Sequence, residues 1–376
     1  AWYLPNGEFV VAMNEEAALK LAQEKDDSLT LADLTRDEDV LDTWFSSGLW
    51  PISVFDGIKD PDNADINYYY PTNDLITAPE ILFFWVARMV MYGYEYRGEK
   101  PFQNVYLTGI VRDKQGRKMS KSLGNSPDPI ELMNKYGADG VRTGMLFSSP
   151  AGNDLLFDEK LCEQGRNFSN KIWNAFRLVD GWEIDESLEN PNKVAIDWFT
   201  SKYNKALAEV EDHFSKFRIS DALMTSYKLV WNDFCSLYLE MVKPEFGKPI
   251  DKESFAHTKE FFEKVVKLLL PFMPFLTEEL WHAMSKREEE YLIVAPWPLG
   301  GAVDAEILEA GEEAFEIVSQ IRNIRSSKQI SPKTALDLQI RAKHKARLEL
   351  FREVIIKMSN CSSFDFVEEK PANATG

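Results

Sequence analysis

Cysteine is scarce in this sequence: three occur in 376 residues, Cys162, Cys235 and Cys361, far apart and with no CxxC pair. This argues against a disulfide framework or a cysteine-based zinc site and predicts buried, idle thiols in a reducing cytosol. Long apolar runs are lacking too. The longest, around Val265–Leu276, is broken by Pro271 and Pro274 and falls far short of the roughly 20 residues a membrane span needs. Ala1–Met13 has no basic segment and no apolar run, so no signal peptide is read there. The chain opens without Met and trails off in Asn373–Gly376, and both ends read as processing boundaries. Positive charge is in deficit, with 43 Lys and Arg against 61 Asp and Glu, net −18. Taken alone, that argues against nucleic-acid binding. Phosphate, however, responds to the local field rather than the total. Two stretches run against the trend: Arg112–Lys121 has five basic residues and one Asp, and Val318–Arg347 has eight and one Asp. On charge alone both read as solvated faces.

What is present supports real cores, with 44% hydrophobic and 12% aromatic residues. At about 100–200 residues per domain, two or three domains are expected. In residues 1–39, Trp2-Tyr3-Leu4 and Glu8–Met13 flank Pro5-Asn6-Gly7, a turn signal that predicts a hairpin. Asn14 then caps a helix running to Gln23. Residues 40–153 alternate in character. Ile66–Tyr70 is strand-like, and Pro79–Tyr92 is an apolar helix with Pro79 in its first turn. Asn104–Ile110 reads as a buried strand, Arg112–Asn125 as a polar loop, and Asp128–Tyr136 as a helix with Pro129 just inside its start. This order predicts part of a parallel α/β sheet, too short for a full doubly wound domain. Residues 154–330 turn helical. Leu161, Phe168, Ile172, Phe176 and Val179 share one face; Tyr203, Leu207, Val210, Phe214 and Phe217 share another. A third stripe, Leu223 to Met241, lies behind Ser220 as N-cap, and Phe315, Val318, Ile321 and Arg325 continue the style. Stripes of this width predict a helix bundle. From residue 331 the pattern alternates at Leu336, Leu338 and Ile340, the start of a third, small α/β unit through 376.

The sharpest chemical signal is Lys118-Met119-Ser120-Lys121-Ser122, in a glycine-containing loop between a predicted strand and a predicted helix. Compact ammonium groups and small hydroxyls on a loop suit a polyphosphate, with each lysine acting as a point charge on phosphate oxygens. Charge aimed at a leaving pyrophosphate stabilises a transition state and not merely a bound state. Elsewhere, Arg166, Asn170, Lys171, Asn174 and Arg177 recur at helical spacing, a polar and basic face opposite Phe168, Ile172 and Phe176.

The decapeptide Gly116–Asn125 resembles the second signature of class I aminoacyl-tRNA synthetases. Further stretches are similar to the valyl branch of that family: Leu41–Pro51 to its return from the editing insertion, with Ser46 where isoleucyl enzymes usually carry an acid, and Ile81–Met89 to its helix beside the amino-acid pocket. Gly165–Asn174 resembles the opening of the anticodon-binding bundle, and Pro271–Trp281 a segment shared by the branched-chain subgroup.

The resemblance covers nearly the whole chain. It implies a partial Rossmann-like catalytic core, second half only, in residues 40–153, preceded by the exit of an editing insertion in 1–39. It also implies an all-α anticodon-binding bundle in 154–330 and the start of a C-terminal junction in 331–376. The implied parent joins valine to ATP, with Mg2+ accompanying the nucleotide, and passes the valyl group to valine tRNA in the cytoplasm. No tightly bound cofactor, metal site, membrane or protein partner is implied. Lys118 and Lys121 match the catalytic, nucleotide-closing lysines, with Met119, Ser120 and Ser122 beside ATP. Trp44, Ile81 and Trp85 match the walls of a valine pocket. Glu80 matches a ribose-contacting position where the family commonly has Asp, and Ala78 stands for its common Gly. Arg166, Asn170, Lys171, Asn174, Arg177, Arg322 and Arg325 match the tRNA side. The family's other signature contains two histidines. The four here, His213, His257, His282 and His344, all lie beyond the α/β part, so that signature is missing and the fragment alone is expected to be inactive. Two rivals stand beside this reading: an isolated, non-catalytic tRNA-binding module, and an isoleucyl or leucyl relative.

Overall fold

A computed structural model of the chain describes residues 1–120, 122–148, 152–286, 290–369 and 374. These form two compact units, Ala1–Leu107 and a second from Thr108 onward. No described helix is long and apolar enough to cross a membrane.

In the first unit the turn at Pro5-Asn6-Gly7 closes as predicted, with Gly7 at φ +84°. It joins β1 (Trp2–Tyr3) to β2 (Phe9–Val10) antiparallel, Trp2 opposite Val10. Asn14 caps α1 (Glu15–Gln23), its side chain accepting the Ala17 N–H at 2.9 Å. A third strand, β3 (Thr35–Arg36), joins the other edge of β1. Two short helices follow, α2 (Thr43–Gly48) and α3 (Trp50–Ser53).

The strand expected at Ile66–Tyr70 is instead helix α4 (Ala64–Tyr69) with its cap. Local hydrogen bonding overrides the tyrosines' strand preference: the Asn63 side chain accepts the Ile66 N–H at 3.0 Å and donates to Phe55 and Asp60 carbonyls. Ile66 and Tyr70 are buried one turn apart while Tyr68 is exposed, which is helical spacing. The strand is the next segment, β4 (Thr72–Thr77). It runs parallel to β5 (Phe102–Leu107), with Asp74 opposite Asn104. Most of β5 is exposed or half-buried rather than buried as expected. Between the strands, the predicted apolar helix divides into a 3-10 turn (Pro79–Ile81), a π-helical segment (Leu82–Val86) and α5 (Ala87–Arg97).

The second unit opens with β6 (Val111–Arg112). Helix α6 (Pro129–Tyr136) begins, as predicted, behind Asp128, whose side chain accepts the Ile130 N–H at 2.7 Å. Helix α7 (Ala138–Phe147) leads to β7 (Leu155–Leu156), which pairs parallel with β6. Then comes α8 (Glu159–Asp180), packed so closely on α7 that a Cβ on Gly165 would sit 2.2 Å from the Gly140 carbonyl oxygen.

The bundle continues through β8 (Ile184–Asp185), α9 (Lys193–Ser215) and α10 (Ile219–Lys228). Ser220 lies inside α10 rather than capping it; Arg218 holds the cap position. The chain then becomes π-helical over Leu229–Tyr238 and closes the turn as α11 (Leu239–Val242). β9 (Ile250–Asp251) pairs parallel with β8, and α12 (Lys252–Leu269), α13 (Pro274–Met284) and α14 (Ala305–Ser327) come next. Phe199 anchors an aromatic centre, its ring 4.9 Å from both Tyr238 and Phe261. β10 (Leu336–Ile340), α15 (Lys345–Leu350), α16 (Arg352–Ser359) and β11 (Cys361–Phe366) follow, with β10 and β11 parallel. Phe351, Ile355 and Phe364 are buried in the same hydrophobic core as the bundle.

Candidate functional site

The lysine-bearing loop is built on β6. Gly116, at φ +77°, lets the chain double back, and Arg112 then bridges Lys118 in antiparallel register. Asp113 organises the turn. One carboxylate oxygen accepts the N–H groups of Gln115 (3.0 Å) and Arg117 (2.9 Å); the other accepts Arg117 Nε (2.7 Å) and Asn125 Nδ2 (3.0 Å). These donors, the Asn125 amide foremost, hold its carboxyl down at about 2. Asn125 also accepts the Ser120 N–H at 3.0 Å and donates to the Lys118 carbonyl at 3.3 Å. Lys118 and Ser122 are exposed and Met119 and Ser120 half-buried; the Ser120 and Ser122 hydroxyls lie 3.1 Å apart. Lys121 lies outside the described residues. Asp113 and Asn125 were not singled out from the sequence. The available signal was an Asp three residues before a glycine, the pattern of a tight turn.

The first unit holds the residues matched to an amino-acid pocket. Trp85 donates its indole N–H to the Ser47 carbonyl at 3.0 Å and stacks on Trp50, centroids 6.0 Å apart. Trp44 stacks on Phe84 at 5.8 Å. The π-helical turn thus lays an aromatic surface against α2 and α3, and such turns are frequent at functional sites. Ile81 is half-buried and Glu80 exposed, both in the 3-10 turn just before.

A third cluster lies on α8. Asn170, Lys171 and Asn174 line a cavity of about 390 Å³ with Cys235 and Leu239. Lys171 crosses the Trp231 ring at 4.8 Å and donates to Ser236 Oγ at 3.1 Å. Arg166 leans over Tyr136, 5.5 Å from its centroid, and pairs with Glu163 at 3.6 Å. Arg177 is exposed in the last turn.

The model of class I tRNA synthetases (I, L, M and V) matches residues 5–158, and the anticodon-binding domain of tRNA ligases matches residues 197–340. The chain belongs to the class I tRNA synthetases. It is 58% identical over its whole length to the valine–tRNA ligase of Parabacteroides distasonis, covering 43% of that protein. To that of Christiangramia forsetii it is 56% identical over 96% of this chain and 42% of the relative. The chain therefore spans less than half the length of the curated relatives it matches. Its fold is similar to that of LeuRS from Agrobacterium radiobacter, solved in a ternary complex with tRNA and LeuAMS. The TM-score is 0.55 at 21% identity, over 78% of this chain and 37% of that one. The synthetase fold here is thus catalytic-domain α/β structure followed by a helical anticodon-binding domain.

One residue expected on the RNA side of this synthetase is placed elsewhere. Arg325 is 5% exposed. Its guanidinium donates to the carbonyls of Ser331 (3.0 Å), Thr334 (2.8 Å), Ser359 (2.8 Å) and Asn360 (3.0 Å). Four of the five N–H donors of this enclosed cation are committed to carbonyls, and it ties the end of α14 to the loop before β10 and to the end of α16. Arg322, one turn earlier, is exposed, with one contact to the Met358 carbonyl at 3.5 Å.

Proposed function

We propose that the full-length protein is a valine–tRNA ligase that activates valine with ATP and transfers it to valine tRNA. The observation that carries this reading is the strand-borne loop: its backbone is tied at Asp113 and Asn125 while Lys118 faces outward. In this reading Lys118 and Lys121 act on the triphosphate, with Met119, Ser120 and Ser122 beside it. Attack on the α-phosphate is in line, so catalysis is mostly positioning and charge. Magnesium comes with ATP, held on its phosphates. Trp44, Ile81 and Trp85 wall a dry pocket for a small branched side chain, and Glu80 reaches for the ribose with one methylene more than Asp has. Arg166, Asn170, Lys171, Asn174, Arg177 and Arg322 face the tRNA. Residues 1–39 are the exit of an editing insertion, 40–153 the second half of the catalytic domain, 154–330 the anticodon-binding bundle, and 331–376 the start of a junction. The choice of valine over isoleucine or leucine is supported by relatives named valine–tRNA ligase across the whole chain.

The test is pyrophosphate exchange by the full-length protein with valine, isoleucine and leucine; exchange driven by isoleucine or leucine in preference would overturn the substrate. Lys121→Ala should slow adenylate formation on the order of a hundredfold with a smaller loss of ATP affinity, because charge builds on the leaving pyrophosphate late. The 376 residues alone should show no exchange, since none of the four histidines precedes residue 200.

A further inference from the structure

The loop contains a buried anion that the proposed chemistry does not use. Asp113 is 7% exposed, yet residues 114 to 118 beside it are all exposed. A carboxylate withdrawn from water is costly unless hydrogen-bonded, and here four donors converge on it. A turn needs only the two backbone donors. The additional ones come from the Arg117 side chain and from Asn125, twelve residues on. Asn125 is placed to do two more things: its oxygen holds the Ser120 N–H and its amide nitrogen the Lys118 carbonyl. One side chain therefore joins the start of the loop, at Asp113, to the backbone on both sides of Met119.

We propose that Asp113 and Asn125 are positioning residues, a polar latch that holds the Lys118–Ser120 backbone in the geometry needed for amino-acid activation. The proposal rests on the reading of this loop as the triphosphate-binding element. Neither residue touches substrate in it. Their part is to remove, before ATP arrives, the freedom that would otherwise misplace the lysine. Displacements of an ångström at such a point cost rate rather than binding. The latch is directional: Asn125 supplies the N–H and Asp113 the acceptor. Asn125→Asp keeps size and the acceptor for Ser120 but sets a second carboxylate against Asp113. Asp113→Asn added to it restores one donor–acceptor pair with the direction reversed, but not the bond to the Lys118 carbonyl, and it turns an amide N–H toward Arg117 Nε.

The experiment uses the full-length protein and valine-dependent pyrophosphate exchange, with rates expressed per active site titrated as bound adenylate. Asn125→Asp should lower kcat about tenfold or more while KM for valine stays within about twofold and the melting temperature is unchanged. The double variant should recover only the part of the lost rate that repulsion between the two carboxylates had cost. The latch is overturned if Asn125→Asp is as fast per site as the wild type, or if its loss tracks a fall in melting temperature. If wild type runs on isoleucine or leucine instead, the valine reading fails and the latch is judged with that amino acid. If no amino acid drives exchange, the loop reading and the latch fall together.

Discussion

Two basic segments that look alike in the sequence have opposite fates in the fold. On α8, Arg166, Lys171 and Arg177 are exposed or half-buried, and Lys171 lines a cavity with Asn167, Asn170 and Asn174. On α14, Arg322 is exposed, but Arg325 turns inward and is enclosed by four carbonyls. The carbonyls close off the end of α16 and the loop before β10, groups left without helical partners. A basic residue at a helix C-terminus can therefore be a joint between chain ends rather than an RNA contact. Which it is depends on whether orphan carbonyls face it.

The largest test of that contrast is Arg325→Ala. It strands the Thr334 and Ser359 carbonyls, while those of Ser331 and Asn360 keep backbone donors, and should cost about 2–5 kcal/mol. Denaturant unfolding of the 376-residue chain reads this directly; a loss below about 1 kcal/mol would return Arg325 to the surface class. Next comes the packing that holds α8. Gly165→Ala places a methyl against the Gly140 carbonyl, and about 1–3 kcal/mol of destabilisation is expected, measured in the same way. A third test concerns Asp233, another charge inside the bundle but with a poorer partner, Lys202 at 3.8 Å. Burial pushes its carboxyl up to about 6, helped by Glu312 and opposed by Lys202. A raised carboxyl contributes stability that is complete below its unfolded value and is lost as pH rises through about 6. Asp233→Asn should therefore flatten the stability profile between about pH 4 and 7, an effect on the order of 1 kcal/mol. The smallest stability change belongs to Arg177→Ala, within about 0.5 kcal/mol. Its effect should appear in RNA: the log–log salt slope of valine-tRNA binding should shrink by about one, as it should not for residual folded Arg325→Ala protein. An unchanged slope would make the α8 face an ordinary solvated surface.

Legibility followed the range of the interactions. The hairpin at Pro5-Asn6-Gly7, the cap at Asn14, the helix start at Asp128-Pro129, most of the helical stripes and the strand at Leu336–Ile340 were readable because each depends on neighbours a few residues away; Phe217, grouped with the stripe of α9, lies beyond its end at φ +56°. Tyr68 to Tyr70 misled because strand preference competes with a cap, Asn63, lying just upstream. Helix α7 escaped notice because Gly140 and Gly144 lower helix propensity. They are there so that α7 and α8 can pack backbone to backbone. At the candidate site, the lysines and serines were visible as a motif, but the Asp113–Asn125 bond was not, since nothing in their spacing announces a hydrogen bond.

By itself, the sequence determined the periodicities, the turns and caps, and the lysine loop's composition, because side-chain chemistry and backbone preference are local. Tertiary structure alone decided that Asp113 is clasped, that Lys171 lies on Trp231, and that Arg325 is buried while Arg322 is not. A charge goes where its desolvation is compensated, and the groups that compensate it are brought there only by the folded chain.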